Sequence, residues 1–199
     1  MASREAMLEA LRRNAPREVP RPDLSGLGAH YPDRVAQFSA ALAGVGGTCL
    51  VVPDLLTAHR ALAEQPSYRD AKRVVSLVAG VGHANLDPSA LAGPHELEGL
   101  DLAILPGELG VAENGAVYLD GARLPQRALY VIAEHLVLVV EAGAVVNDMH
   151  EAYARLAERK AGYGLFISGP SKTADIEQAL VIGAQGPRSC TVLLVGPPA

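Results

Sequence analysis

The sequence predicts an α/β fold, a mostly parallel sheet with helices on both faces and a β-rich insertion. Three observations carry this expectation. Apolar runs of strand length alternate with stretches of helical spacing, as at Thr48–Val52, Leu55–Glu64 and Arg73–Ala79. The runs are continuous rather than alternating, which suits strands covered on both faces. Turn dipeptides, Asn114-Gly115 and Asp120-Gly121, cluster only in the middle of the chain, where a β-rich insertion or antiparallel edge is expected.

In chain order, Met1 to Arg13 reads as an amphipathic helix with Met7, Leu8 and Leu11 on one face. Residues 14–31 contain Pro16, Pro20, Pro22, Gly26 and Gly28, a composition that sustains neither helix nor central strand. Residues 1–44 are therefore expected to form a helix and arm, and residues 45–199 a single α/β domain. Spacing predicts a helix from Asp33 to Leu42, ended by Gly44, then the Thr48–Val52 strand stopped by Pro53. A helix at Leu55–Glu64 precedes a strand at Arg73–Ala79, and Leu102–Leu105 is a third parallel strand ended by Pro106-Gly107.

Strand-like residues fill Val111–Leu119 and Ala128–Ile132. His135–Val140 is the most apolar strand, followed by a helix from about Val145 to Ala161, a strand at Leu165–Ile167 and a last strand at Thr191–Val195. Between the last two, Thr173–Ile182 has helical spacing, with Ile176, Ala179, Leu180 and Gly183 on one face. Thr173 is its expected N-cap, and Asp175 and Glu177 place negative charge where the helix dipole favours it.

Composition excludes several classes. The 199 residues are 49% hydrophobic and 20% charged, so the chain can build a large core. With 4% aromatics and no Trp that core is aliphatic. A net charge of -5 lacks the basic balance of a general nucleic-acid binder. Only two cysteines occur, Cys49 and Cys190, without Cys/His ligand spacing, so no metal or cluster is expected in this chain. No apolar run reaches membrane-spanning length, and a cytoplasmic location is expected.

The loop Ser168–Thr173 is the first candidate site. A strand, a Gly-Pro break and a helix start would leave hydroxyls, an ammonium and free amides at an anion seat, formed by Ser168, Gly169, Ser171, Lys172 and Thr173. It is not a P-loop, because Pro170 and Ser171 separate Gly169 from Lys172. The bland alternative is a capped helix whose Lys172 is simply solvated.

Glu113, beside the Asn114-Gly115 turn in an apolar setting, is a candidate general acid or base; equally it could bind a turn amide or pair with Lys172. His135 is the best placed of the six histidines for proton transfer, although a lone His at a strand start also serves structure. His83, in a Gly-flanked loop, is a further candidate. Asp148-Met149-His150-Glu151 is read as a solvated helix face, since consecutive helix residues diverge. Gly80-Val81-Gly82 and Gly44-Val45-Gly46-Gly47 do not complete a dinucleotide fingerprint, and there is no nucleophile elbow. Ser168 and Ser171 are thus hydrogen-bond donors. Ligands of such sheets generally sit beyond the carboxyl ends of the strands, where Glu108, Glu113 and the Ser168 loop are expected.

The run Ile167–Pro187, with AENGAVYL at Ala112–Leu119 and EHLVLVV at Glu134–Val140, resembles the lactate-utilization (LUD) domain family. The resemblance covers the chain from about Thr48 onward. It implies a fold similar to the sugar-phosphate isomerase and CoA-transferase-like group, a part in oxidising L-lactate to pyruvate, and separate iron-sulfur partner proteins that hold the clusters. One departure stands out: the family usually has Ala-Glu-Thr-Gly-Thr where this chain has Ala112-Glu113-Asn114-Gly115-Ala116, so both hydroxyls are absent. Asn114 can still donate and accept, and Asn-Gly supports the same turn. Two other roles stay open: a non-catalytic assembly or regulatory subunit for the iron-sulfur proteins, and, by fold analogy alone, a transferase or isomerase acting on a CoA or phosphate substrate.

Overall fold

The apolar runs form the centre of the molecule. The computed structural model describes all residues except 1–2, 16–19, 21, 24–25, 158–161, 174–179 and 199. The elements in order are α1 (Arg4–Arg13), α2 (Arg34–Gly44), β1 (Thr48–Val52), α3 (Leu55–Ala63), α4 (Pro66–Arg69), β2 (Val74–Ser76), β3 (Leu102–Pro106), β4 (Leu109–Val111) and β5 (Ala116–Asp120). They continue with α5 (Leu129–Ile132), β6 (His135–Glu141), β7 (Val145–Val146), α6 (Met149–Leu156), β8 (Gly164–Ile167), β9 (Lys172–Thr173), β10 (Val181–Ile182) and β11 (Ser189–Val195).

A five-stranded sheet, β1-β11-β6-β3-β2, is parallel throughout. Its central strands are buried on both faces, which is why β6 and β11 read as unbroken apolar runs. One face packs Val74, Ile104, Val137 and Leu193 against Ala58 and Leu62 of α3. The other packs Ala103, Leu105, Leu136, Leu138 and Val192 against Phe38 and Leu42 of α2 and against Leu129 of α5. Truncating a fully buried leucine such as Leu138 to Ala costs roughly 2–5 kcal/mol in such a core. Phe38 and Leu42 are completely buried, so α2 packs on the same core as the parallel sheet.

The β-rich insertion is a second sheet, β7-β4-β5-β8, in which β4 and β8 run antiparallel to β5 and β7 runs parallel to β4. Several expected elements change here. Leu165–Ile167 does not join the parallel sheet; as β8 it pairs with β5. Ala128–Ile132 is not a strand but a short helical turn, α5. The helix expected from Val145 opens as β7, because Val145 and Val146 are both buried and pair with Gly110 and Val111; helix begins only after Asp148, whose side chain accepts from the Glu151 amide. Its expected end at Ala161 lies outside the described residues.

The helix expected from Thr173 to Ile182 is corrected at both ends. Thr173 pairs with Val181 and Lys172 with Ile182 in an antiparallel ladder, so Thr173 is a strand residue and not an N-cap. Residues 174–179, with Asp175 and Glu177, lie outside the described part. Hydrogen bonds Ser171 N to Pro187 O and Gly183 N to Ser171 O, each 2.9 Å, tie this arm to the approach of β11.

Candidate functional site

The β4–β5 turn and the loop after β8 meet. Asn114 and Gly115 turn the chain from Val111 to Ala116: the Gly115 amide donates to Val111 O, and Asn114 Oδ1 accepts from the Ala116 amide at 3.0 Å. Gly115 has φ +66°, and a Cβ there would stand 2.6 Å from the Leu42 amide nitrogen, so both backbone conformation and space require glycine. Since β8 runs beside β5, its end delivers Ser168 to this turn, where Ser168 Oγ donates to Asn114 O at 2.7 Å.

The loop then crosses the entrance to β1. Gly169 (φ +72°) approaches Val45 so closely that a Cβ would lie 2.9 Å from its carbonyl oxygen. The Gly169 amide donates to the Cys190 sulfur, and burial pushes that thiol up to about 12. Ser171 is half-buried, whereas Lys172 is exposed, its Cε 3.9 Å from where a Cβ on Gly46 would stand. The amides of Gly169 and Ser171 are thus engaged within the protein, and the Lys172 side chain is the exposed charged group of the loop.

Glu113 occupies a different setting from the apolar one expected. It is exposed, its amide donates to Asn147 O, and its Oε2 accepts from the Met149 amide at 3.1 Å, in the first turn of α6. Asn147, 4% exposed, is clamped by Glu151, which accepts from both its amide and its side chain at 2.8 Å. The Asn147 amide, together with its side-chain donor, holds the Glu151 carboxyl below the usual carboxylate range. Asp148 and Glu151 are therefore occupied as cap and clamp.

His135 lies elsewhere again. It opens β6, so it stands at the amino edge of the parallel sheet, and its Nδ1 is 2.8 Å from the hydroxyl of Ser189, which opens β11 in register with it. Its ring lines an open cleft of about 330 Å³ with Ser67, Asp70, Asp101 and Glu134. Asp101 accepts from the Arg73 and Lys72 amides at 2.8 and 2.7 Å; those bonds, the Arg73 one foremost, hold its carboxyl below the usual range. Three carboxylates in the lining make this cleft unfavourable to an anion.

His83 is exposed and sits at the other edge, after β2. Its amide donates to the Tyr68 hydroxyl, and its ring packs edge-on to that of His59 at 5.0 Å. His59 Nδ1 in turn accepts from the Gly82 amide at 3.1 Å.

The structure thus joins Asn114, Gly115 and Ser168, with Gly169, Ser171 and Lys172 following in the same loop. It places Glu113 at α6, His135 in a separate acidic cleft and His83 beyond β2. Sequence reasoning missed Ser189 and Asp101. The signal was present: residues that open adjacent parallel strands stand side by side, as Ser189, His135 and Leu102 do.

The Ser168 loop also lies at an unexpected edge. Through Val45, Gly46 and Pro187 it borders the amino ends of β1 and β11, not the carboxyl ends. The reason is that β8 belongs to the second sheet, so the end of β8 does not share the carboxyl edge of the parallel strands.

Cys49 and Cys190 cannot supply the four thiolates of an iron-sulfur cluster. Among the described residues no helix is long and apolar enough to cross a membrane.

A parallel α/β sheet with a mixed second sheet folded over one face defines the structural class. The LUD domain profile matches residues 94–195, just over half of the chain, and the chain belongs to the LUD domain family. It is 27% identical over 188 residues to lactate utilization protein C of Geobacillus kaustophilus, covering 84% of this chain and 74% of that one. It is 35% identical over 91 residues to lactate utilization protein C of Bacillus pumilus, covering 43% and 38% of the two chains. A crystal structure of a DUF162 family protein from Deinococcus radiodurans superposes with a TM-score of 0.64 at 20% identity, covering 82% of this chain and 96% of that one, which shows the same fold.

Proposed function

We propose that this protein works in a lactate-utilization system and binds a small anion, such as a carboxylate or phosphate, at the loop Ser168–Thr173. The role rests on the similarity to lactate utilization protein C over most of the chain. The observation that supports the site is the Ser168–Asn114 bond, which fixes the loop on the Asn114-Gly115 turn and leaves Lys172 exposed. In this reading Lys172 supplies the charge, with the Ser171 and Thr173 hydroxyls as directional donors.

The test is a thermal-shift screen against lactate, pyruvate, inorganic phosphate, CoA and nucleotides, repeated with Lys172→Ala, since a ligand of the folded state raises Tm. A shift that disappears in the variant supports the site. A shift equal in both proteins, or none, overturns it.

A second reading, a non-catalytic subunit serving iron-sulfur partner proteins, is favoured by a specific observation. Glu113 and His135, the candidate proton-transfer groups, sit in separate environments, one bound to the α6 amide and the other in the cleft with Ser67 and Asp70. Lactate oxidation reconstituted with and without this chain distinguishes the two: a subunit of this kind changes the partners' turnover without turning over lactate alone.

A further inference from the structure

The turn at Asn114-Gly115 is held by bonds that fix the Asn114 side chain at one end and leave the other end unused. The amides of Glu113, Gly115 and Ala116 donate to Asn147 O, Val111 O and Asn114 Oδ1 at 2.9, 2.9 and 3.0 Å. Asn114 O accepts from Ser168 Oγ. Since only Oδ1 can accept from an amide, the position of Nδ2 is set as well. Asn114 is half-buried, and among the described residues its Nδ2 donates to nothing.

The turn does not by itself call for asparagine. Aspartate closes the same turn through the same oxygen and precedes glycine as readily. The two side chains differ only in the group left over, two N–H donors or a carboxylate oxygen. The residue type at 114 therefore supplies a donor that the turn leaves unspent.

That donor borders the loop after β8. Gly115 rests on Leu42, a Cβ there standing 2.7 Å from Leu42 Cα, while Lys172 Cε and Pro170 Cγ lie 3.9 and 3.7 Å from where a Cβ on Gly46 would stand. Leu42 and Gly46 belong to one tight turn, because the Gly47 amide donates back to Leu42 O at 2.9 Å. The asparagine turn and the lysine thus flank the same end of α2.

We propose that Asn114 Nδ2 is the specificity-determining donor of the anion site, and that it and Lys172 hold one oxyanion between the β4–β5 turn and the loop after β8. The inference rests on the reading that an anion binds at Ser168–Thr173. Lys172 supplies charge without direction, whereas a locked amide supplies direction without charge. Together they select an anion with two or more oxygens on one centre, a carboxylate or a phosphate, over a single-atom anion such as chloride. Because the donor is already held, little conformational freedom is lost when the ligand binds.

The experiment is isothermal titration calorimetry of the full chain with L-lactate, pyruvate and inorganic phosphate in a sodium chloride background, so that chloride competes throughout. The variants are Asn114→Asp, Asn114→Ser and Lys172→Ala, each checked for fold by circular dichroism. Aspartate keeps the oxygen that accepts from Ala116 and loses the donor; serine keeps an oxygen for that amide and a proton to donate. The expected result is a probe that binds the wild type, binds Asn114→Asp about thirtyfold more weakly, and binds Asn114→Ser within about fivefold of wild type. Equal affinity in wild type and Asn114→Asp, or equal losses in Asn114→Asp and Asn114→Ser, overturns the inference and leaves the anion site standing if Lys172→Ala abolishes binding. A wild type that binds no probe, or a Lys172→Ala protein that binds as wild type does, overturns the anion site and this inference with it.

Discussion

Ser168 Oγ lies 2.7 Å from Asn114 O, so a side chain in the loop after β8 is bonded to the backbone of the β4–β5 turn, 54 residues earlier. This contact converts two separate stretches of sequence into one structural unit. Removing the hydroxyl in Ser168→Ala leaves a half-buried carbonyl without this donor. Urea unfolding is expected to show a loss of about 1 kcal/mol. Any Lys172-dependent ligand shift is expected to shrink as well, since the loop loses its anchor; an unchanged shift would mean that the bond does not position the loop.

Gly115→Ala tests the turn itself. The added Cβ meets Leu42 backbone atoms at 2.6–2.7 Å in a left-handed conformation, so strain and overpacking act together. A loss of about 3 kcal/mol or more is expected in urea unfolding. Gly80→Ala is the control, because Gly80 has φ +81° but nothing within 4 Å of where the new methyl group would stand. Only the conformational cost of about 1 kcal/mol applies there.

Acid sensitivity follows from Asp101 and Glu151. Both carboxyls are held below their usual range by main-chain amides, Arg73 for Asp101 and Asn147 for Glu151. A depressed folded-state value means that the stabilisation is complete above the unfolded value, near pH 4, and is lost as pH falls through the folded one. Stability measured from pH 6 downward is therefore expected to decline below about pH 5. Asp101→Asn should flatten that decline while lowering stability at pH 6; a slope equal to wild type would refute the assignment.

Cys190 is expected to resist alkylation. Its thiol is buried and pushed up to about 12, so little thiolate forms near neutrality. Burial raises the Cys49 thiol as well, though a hydrogen bond with Ser39 works against the rise. Mass spectrometry after iodoacetamide at pH 8 should find Cys190 modified only in urea, and Cys49 modified slowly in the native protein. Rapid native labelling of Cys190 would contradict its burial.

The elements legible in the sequence are those whose residues are fixed by local chemistry. The β6 run Leu136–Val140 is apolar at every position because both faces are covered. Asp33 and Asp54 mark the starts of α2 and α3 because each accepts an amide three residues on. Asn114-Gly115 names its turn because Gly115 must have positive φ. The stretch Thr173–Ile182 misled because apolar residues at helical spacing follow a good cap, while its ends are held instead by Ser171–Pro187 and Gly183–Ser171 bonds. Periodicity does not register partners supplied from elsewhere in the chain.

For the candidate site the division is similar. The sequence by itself determined the chemistry available: a hydroxyl-rich loop with one ammonium, a glycine turn, and a parallel sheet set by doubly buried strands. Only the tertiary structure decided which of these groups meet. Pairing β8 with β5 carried Ser168 to Asn114 and the loop to the amino edge, while His135, as the opening residue of β6, came to rest beside Ser189 in a cleft of carboxylates. Strand pairing is a long-range contact, chosen by how two sheets close over a shared core, and no local pattern of residues encodes it.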